Sequence, residues 1–234
     1  MTENLNGIYR ILRKTYGKQG WWPILNADTG LSEYGGNAPL NEAEIFEIAI
    51  GAILTQNVAW KNVEKALLAL KKNGLMEPVA LFQARDDRIA KCIISSGYYN
   101  QKTKKIKNFL TWFREFEYSF EKLINLKTEK IREEMLGIKG IGPETADSIL
   151  LYGLGRKIFV IDAYTKRIFS RLGFLDIKDD YEKIRKLFEK EFKGDTEKYN
   201  EYHALIVLHG KDCCKNNPLC SNCCLNLICP SFTV

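Results

Sequence analysis

The chain has 234 residues, of which 45% are hydrophobic and 27% charged, and its net charge is +6. That length accommodates one large domain or two small ones, and the composition is that of an ordinary globular protein. It has no run of about 18 apolar residues, and the opening MTENLNGIYRILRK lacks a signal-peptide core, so we expect a cytoplasmic protein with no membrane association. The modest basic surplus fits a polyanionic partner without requiring one.

Near the start, Trp21-Trp22-Pro23 places two indoles side by side, and Trp21 is expected in the core. EAEIFEIAIGAIL carries Ile45, Ile48, Ala49 and Ala52 at helical spacing, and WKNVEKALLALKKNG repeats the pattern before stopping at Gly74. Between them, Gln56 and Asn57 stand at a helix start, with Asn57 as a candidate cap. PVALFQARDDRIAKCIISSG reads as one or two short helices ending near Gly97. NQKTKKIKNFLTWFREF is a basic amphipathic helix whose Lys102, Lys104, Lys105 and Lys107 are expected on a solvated face. TEKIREEMLGI starts from a Thr128 cap, and PETADSILLYGLG follows it. The apolar stretch IFVID, then AYTKRIFSRLG, DYEKIRKLFEKEF and TEKYNEYHALIVLHGK complete the helices. No alternating pattern is long enough for a sheet. The fold class is therefore all-α, with a central six-helix domain at 43–155 and a terminal domain formed by 1–42 with 156–234.

Between two of these helices lies Leu136-Gly137-Ile138-Lys139-Gly140-Ile141-Gly142. Its glycines can take positive φ and leave N–H groups uncovered, while Pro143 suits a first helical position. Amides beside a helix start form an anion seat, and Ile138 and Ile141 would anchor the turn. The pattern is that of a helix-hairpin-helix between about 134 and 150, which grips a DNA backbone without reading sequence.

Six of the seven cysteines crowd into 213–229, which points to a metal or cluster site rather than a disulfide framework. Cys220, Cys223 and Cys229 follow C-x₂-C-x₅-C. Cys213 and Cys214 compete for the fourth place, with six and five intervening residues before Cys220. Four thiolates at such spacing suit zinc as well as iron and sulfur. Asp162, after IFVI and before AYTKRIFSRL, is a good N-cap.

LGIKGIGPETADSILLYG, then VIDAYTKRIFSRLG, then the terminal cysteines resemble the endonuclease III group of helix-hairpin-helix DNA glycosylases, in the family's order from about Ile45 to Pro230. The resemblance implies an all-α, two-domain enzyme with double-stranded DNA carrying a damaged base bound across a cleft. It implies a [4Fe–4S] cluster in the 213–229 loop, with zinc as the alternative. The family's usual spacing favours Cys213, and distance from His209-Gly210 favours Cys214, to which we lean; Cys224 is left unligated. Asp162 falls where the family keeps its catalytic carboxylate. Glu144 occupies the position at which bifunctional members carry a nucleophilic lysine, and a carboxylate cannot form a Schiff base. Gln56 matches the gap-filling residue, and Lys139, Gly140, Ile141 and Gly142 the phosphate grip.

Trp22 and Pro23 with Phe46 resemble the branch that removes 3-methyladenine, where a cationic base stacks on an electron-rich ring. Lys211 faces that pocket or a phosphate, or is simply exposed to solvent, and His203 and His209 are expected to be structural. The chain then reads as a monomeric, monofunctional glycosylase for an alkylated purine. The rivals are a glycosylase/lyase acting on oxidised, deaminated or mismatched pyrimidines, and an iron–sulfur DNA-binding protein without catalysis.

Overall fold

The computed structural model describes residues 3–26, 28–35 and 41–232. The chain divides into two compact units, Trp22–Arg156 and the pair of terminal segments Met1–Trp21 and Lys157–Val234. In chain order, α1 (Leu5–Tyr16) precedes a short antiparallel pair, β1 (Ile24–Leu25) and β2 (Ser32–Glu33), with Ile24 opposite Glu33. Then come α2 (Glu42–Leu54), α3 (Trp60–Lys72), α4 (Pro78–Gln83), α5 (Asp86–Cys92) and α6 (Tyr99–Arg114). They are followed by α7 (Phe120–Ile124), α8 (Thr128–Gly137) and α9 (Pro143–Ser148), which runs on as a π-helical segment, Ile149–Gly153. Last are α10 (Ala163–Arg171), α11 (Tyr181–Glu191) and α12 (Thr196–Asp212). The all-α reading holds. Among the described residues the central unit has eight α-helices rather than six, because α4, α5 and α7 form separate short pieces.

The central unit is built around α2. Every residue from Ile45 to Leu54 is buried, so no face of this helix is left to water and neighbours must cover all sides. Ile45 and Ile48 pack on Gly153 of the π-helical segment. On another side the Trp22 ring lies so close to Gly51 that an added Cβ would come within 3.0 Å of it. Glu47 is buried, accepts the Leu25 N–H at 2.7 Å and pairs with the Lys71 ammonium at 2.6 Å. Burial pushes its carboxyl above the usual range, and these two contacts pull it back. Lys71 also donates to the Leu25 carbonyl, so one ion pair ties β1 to α2 and α3. The described residues between 22 and 42 therefore group with the central helices, whereas the sequence suggested the terminal domain.

The lysines of α6 differ from expectation. Lys102 is buried and its ammonium donates to Leu54 O at 2.7 Å and Ser96 O at 2.6 Å. Lys107 donates to Phe82 O at 2.5 Å and Ala84 O at 2.6 Å. Both close off carbonyls at the ends of preceding helices, the groups a helix cannot satisfy by itself. Lys104 is exposed, as the solvated-face reading required.

The terminal unit gathers α1, α10, α11 and α12 around aromatic rings. Phe159 stacks on Phe188 at 4.4 Å between centroids, Phe169 meets Phe188 at 4.7 Å, and Phe192 meets Tyr202 at 4.7 Å. The buried Tyr202 hydroxyl donates to Leu5 O at 2.9 Å, which satisfies its one polar atom. Gly210 allows α12 to approach α10, since a Cβ there would stand 2.4 Å from the Tyr164 ring. IFVID forms no strand and runs buried into Asp162, the extended cap of α10. Two expected caps are not used: α8 begins at Thr128 itself, with Lys127 before it, and α3 is preceded by Ala59 rather than Asn57, which has φ +55°.

Replacing Lys102 with Met keeps the length but leaves the Leu54 and Ser96 carbonyls without the amine. We expect a loss of about 1–3 kcal/mol, read as a lower urea midpoint at constant slope. Burial pulls the Lys102 amine down to about 8, below its usual 10.5, so the unfolded chain holds this proton more tightly. Between those values stability conferred by Lys102 should rise with pH, and the midpoint gap from Lys102→Met should widen.

Candidate functional site

Helices α8 and α9 form the hairpin that the glycine pattern announced. Gly140 has φ +99°, and a Cβ there would stand 2.5 Å from Lys105 Cγ, so both backbone and neighbour exclude a side chain. Gly142 is different: φ is −95°, it caps α9 in an extended conformation, and a Cβ added there would meet nothing within 4 Å. Pro143 takes the first helical position, where its missing N–H costs nothing. Ile138 and Ile141 are buried anchors, and the Ile141 N–H turns inward to Ile138 O at 3.0 Å. Lys139 is exposed, with its carbonyl accepting from Asn108 Nδ2 at 2.8 Å.

Two latches hold this turn, and neither was apparent from the sequence. Arg132 on α8 grips Asp147 on α9 through two hydrogen bonds of 2.6 and 3.2 Å, with Asp147 fully buried. A forked guanidinium–carboxylate pair fixes angle as well as distance. Gln56, in the turn between α2 and α3, donates from Nε2 to Thr145 Oγ1 at 2.8 Å and to Gly140 O at 3.3 Å. Its Oε1 accepts from the Lys105 ammonium. Gln56 and Gly140, singled out separately in the sequence, are thus brought together. Glu144 is exposed in the first turn of α9, and its carbonyl accepts the Ser148 hydroxyl at 2.7 Å.

Asp162 is the N-cap of α10, as its position suggested. Oδ1 accepts the Thr165 N–H at 2.7 Å and the Thr165 hydroxyl at 2.8 Å. The residue is 9% exposed, and Oδ2, outside the cap, lies 3.7 Å from His203 Nε2 on α12. Lys211 is exposed on the same helix. The carboxylate is thus oriented by its cap, held out of bulk water and faced by an imidazole.

Of the aromatic candidates, Trp22 and Pro23 are buried while Trp21 is half-buried, so Trp22 is the more enclosed indole. Trp22 meets Trp60 edge-on at 5.3 Å and Tyr152 at 5.4 Å, over Gly51. Phe46, 1% exposed, lines a separate cavity with Met76, Pro78, Val79, Tyr118 and Phe120. Phe46 and Gly51 are five residues apart, which at 3.6 residues per turn sets them on different sides of α2. Trp22 and Phe46 therefore pack against different sides of that helix.

Cys213, Cys214, Cys220, Cys223 and Cys229 line one cavity, and Cys224 is not part of its wall. Ligand atoms of His209, Cys213 and Cys223 lie within 4.8 Å of one another, which makes this a candidate metal site. Burial and neighbouring thiols push the Cys213 thiol up to about 12. His209 is tied at Nδ1 to the Tyr16 hydroxyl at 2.8 Å, and its Nε2 lies 3.7 Å from Cys223 Sγ. Two arginines of α10 staple the loop: Arg167 donates to Cys214 O at 2.9 Å, and Arg171 to Cys214 Sγ at 3.3 Å and Lys215 O at 2.6 Å. Their i, i+4 spacing is visible in AYTKRIFSRLG, but nothing local says what they hold.

A buried helix-capping carboxylate and a glycine hairpin are the parts of a DNA-repair enzyme of the helix-hairpin-helix class. Residues 50–193 match the family model for the HhH-GPD superfamily base excision DNA repair proteins, and the chain belongs to that family. A Methanocaldococcus jannaschii protein that carries the name of a DNA repair glycosylase is 43% identical over 233 residues, spanning 98% of this chain and 97% of that one. Endonuclease III of Sulfolobus acidocaldarius is 30% identical over 190 residues, 80% of this chain and 82% of its own. The solved structure of the Helicobacter pylori 3-methyladenine DNA glycosylase bound to 1,N6-ethenoadenine matches with a TM-score of 0.64 and 26% identity, covering 87% of this chain and 96% of that one. The protein is a base-excision DNA glycosylase, and DNA is its partner. Among the described residues, no helix is long and apolar enough to cross a membrane.

Gly140→Ala and Gly142→Ala should separate in a thermal melt. The first forces a side chain into positive φ against Lys105 and is expected to cost about 1–3 kcal/mol, whereas the second should shift the midpoint little.

Proposed function

We propose that this glycosylase is monofunctional and hydrolyses the N-glycosidic bond of a damaged base, most readily an alkylated purine. The observation that carries this reading is Asp162: a buried carboxylate whose Oδ1 is committed to the α10 cap, leaving Oδ2 for chemistry. As the bond to the base breaks, positive charge develops on the sugar, and a fixed anion stabilises that state or takes a proton from the attacking water. Glu144 supports the monofunctional half, because a carboxylate at the start of α9 supplies no amine to attack the sugar. The likeness to a 3-methyladenine glycosylase supports the alkylated substrate, whose positive charge would favour stacking on an electron-rich ring. In this reading Trp22, Pro23, Phe46 and Lys211 serve the base. Trp22 and Phe46 act from different sides of α2, so one of them does so through packing. Gln56, Lys139 and the amides around Gly140 and Gly142 serve the DNA, while Ile141 only anchors the turn.

The cysteine cavity fits a cluster: its wall is sulfur-rich, and Arg171 already offers an N–H to the Cys214 sulfur. Cys220, Cys223 and Cys229 with one of Cys213 and Cys214 would hold a [4Fe–4S] group, whose part is to tie the loop together. Zinc is the competing occupant. The 30% identity to an endonuclease III favours a second reading, a glycosylase/lyase acting on altered pyrimidines, with its amine elsewhere than position 144.

Purified protein is expected to be yellow-brown, with absorbance near about 400 nm and roughly four irons per chain. Colourless protein with one zinc would reverse the assignment. Single replacement of Cys213 and Cys214 should abolish the colour in only one case. Asp162→Asn keeps the cap and the fold but should lower base release by about a hundredfold or more, whereas Glu144→Gln should leave it nearly intact. Borohydride should trap no covalent enzyme–DNA adduct, and abasic product should stay uncut until alkali is added. A strong adduct that survives in Glu144→Gln would establish the lyase reading, with Lys211 the first amine to test.

A further inference from the structure

We propose that His203 is the positioning residue for the catalytic carboxylate, holding Asp162 Oδ2 in place through a neutral Nε2–H. The inference rests on the assignment of Asp162 as the catalytic group. Oδ1 is fixed by two hydrogen bonds from Thr165, which sets the plane of the carboxylate but leaves Oδ2 to be oriented from elsewhere. His203 Nε2 stands 3.7 Å from that oxygen, and both side chains are about one-tenth exposed. The gap exceeds a direct N–H···O bond by a few tenths of an ångström. Catalytic contacts are commonly this long in the free enzyme and tighten around substrate. The two helices cannot drift apart easily, because α12 and α10 meet where Tyr164 fills the space over Gly210.

Burial favours neutral imidazole at His203, with nearby Lys211 acting in the same direction and Asp162 opposing both. A neutral ring keeps the carboxylate from being cancelled by a full ion pair, yet offers it one donor. Oδ2 then remains an anion aimed at the sugar, and the proton taken from water is received by Asp162 rather than by the ring.

The test compares single-turnover release of methylated bases from dimethyl sulfate-treated duplex DNA by the whole protein and three variants. His203→Gln places an amide N–H near the position of Nε2, and His203→Leu fills the space without a donor. We expect His203→Leu to be about a hundredfold slower with unchanged affinity for undamaged duplex. His203→Gln should recover most of the rate. A second readout needs no turnover: the chain has only two histidines, so ¹⁵N ring shifts are readily assigned, and those of His203 should show Nε2 protonated and should move in Asp162→Asn. Full activity in His203→Leu beside an inactive Asp162→Asn would overturn the inference and leave the catalytic assignment standing. Equal slowness in both His203 variants with lowered melting would make His203 a packing residue and overturn it as well. Full activity in Asp162→Asn would remove the catalytic assignment and the inference together.

Discussion

Helix α2 has ten consecutive buried residues, and the central unit exists to surround it. A helix without a polar face cannot rest on a surface; it must be enclosed, and here α3, α6, the π-helical segment and the Trp22 segment share that task. Within the buried stretch of α2 the polar side chain is Glu47, and its pairing with Lys71 and the Leu25 amide converts a desolvation cost into a tether for β1. At the C-terminal end of α2, the Lys102 ammonium takes the Leu54 carbonyl, and the chain turns at once into Gln56. The hairpin latch is therefore anchored to the most enclosed element of the unit.

The hairpin itself is held by complementary devices. Backbone geometry demands a glycine at 140, hydrophobic anchors sink Ile138 and Ile141, and the buried Arg132–Asp147 fork sets how α8 and α9 meet. Gln56, proposed to fill the gap left by an extruded base, is bonded to Gly140 and Thr145 of the turn proposed to grip phosphate. A nucleotide must leave the stack before its glycosidic bond can be reached. In that proposal Gln56 would exchange its bonds to the hairpin for bonds to DNA, so that grip and insertion would compete for the same amide.

In the terminal unit the same economy appears at Asp162. One carboxylate oxygen caps the helix, and the proposed reaction uses the other, so that folding and the proposed catalysis would draw on different atoms of one side chain. The cysteine loop follows a related logic: Arg167 and Arg171 leave α10, the helix that Asp162 caps, to bind the loop's backbone and a sulfur. Whatever orders that loop also restrains the helix that aims the carboxylate.

The helical class, the hairpin at Gly140, the cap at Asp162 and the cysteine set were legible in the sequence because each is local. Periodicity, a positive-φ glycine before a proline, an aspartate before a helix and cysteine spacing all act within a few residues. Partnerships across long separations were not legible. Lys102, Lys105 and Lys107 read as a solvated stripe, yet two of them close helix ends and one holds Gln56, since a lysine's stem is long enough to follow whatever carbonyl the packing presents. The Trp22 segment joined the central unit through the Leu25 backbone, bonded to Glu47 and Lys71, 22 and 46 positions away, and Trp22 and Phe46 were parted by the turn of α2. His203, 41 positions from Asp162, read as an ordinary core histidine. Sequence by itself determined the elements and the chemical types at their ends; only tertiary packing decided which of those groups face one another, because that depends on how helices meet and not on any spacing along the chain.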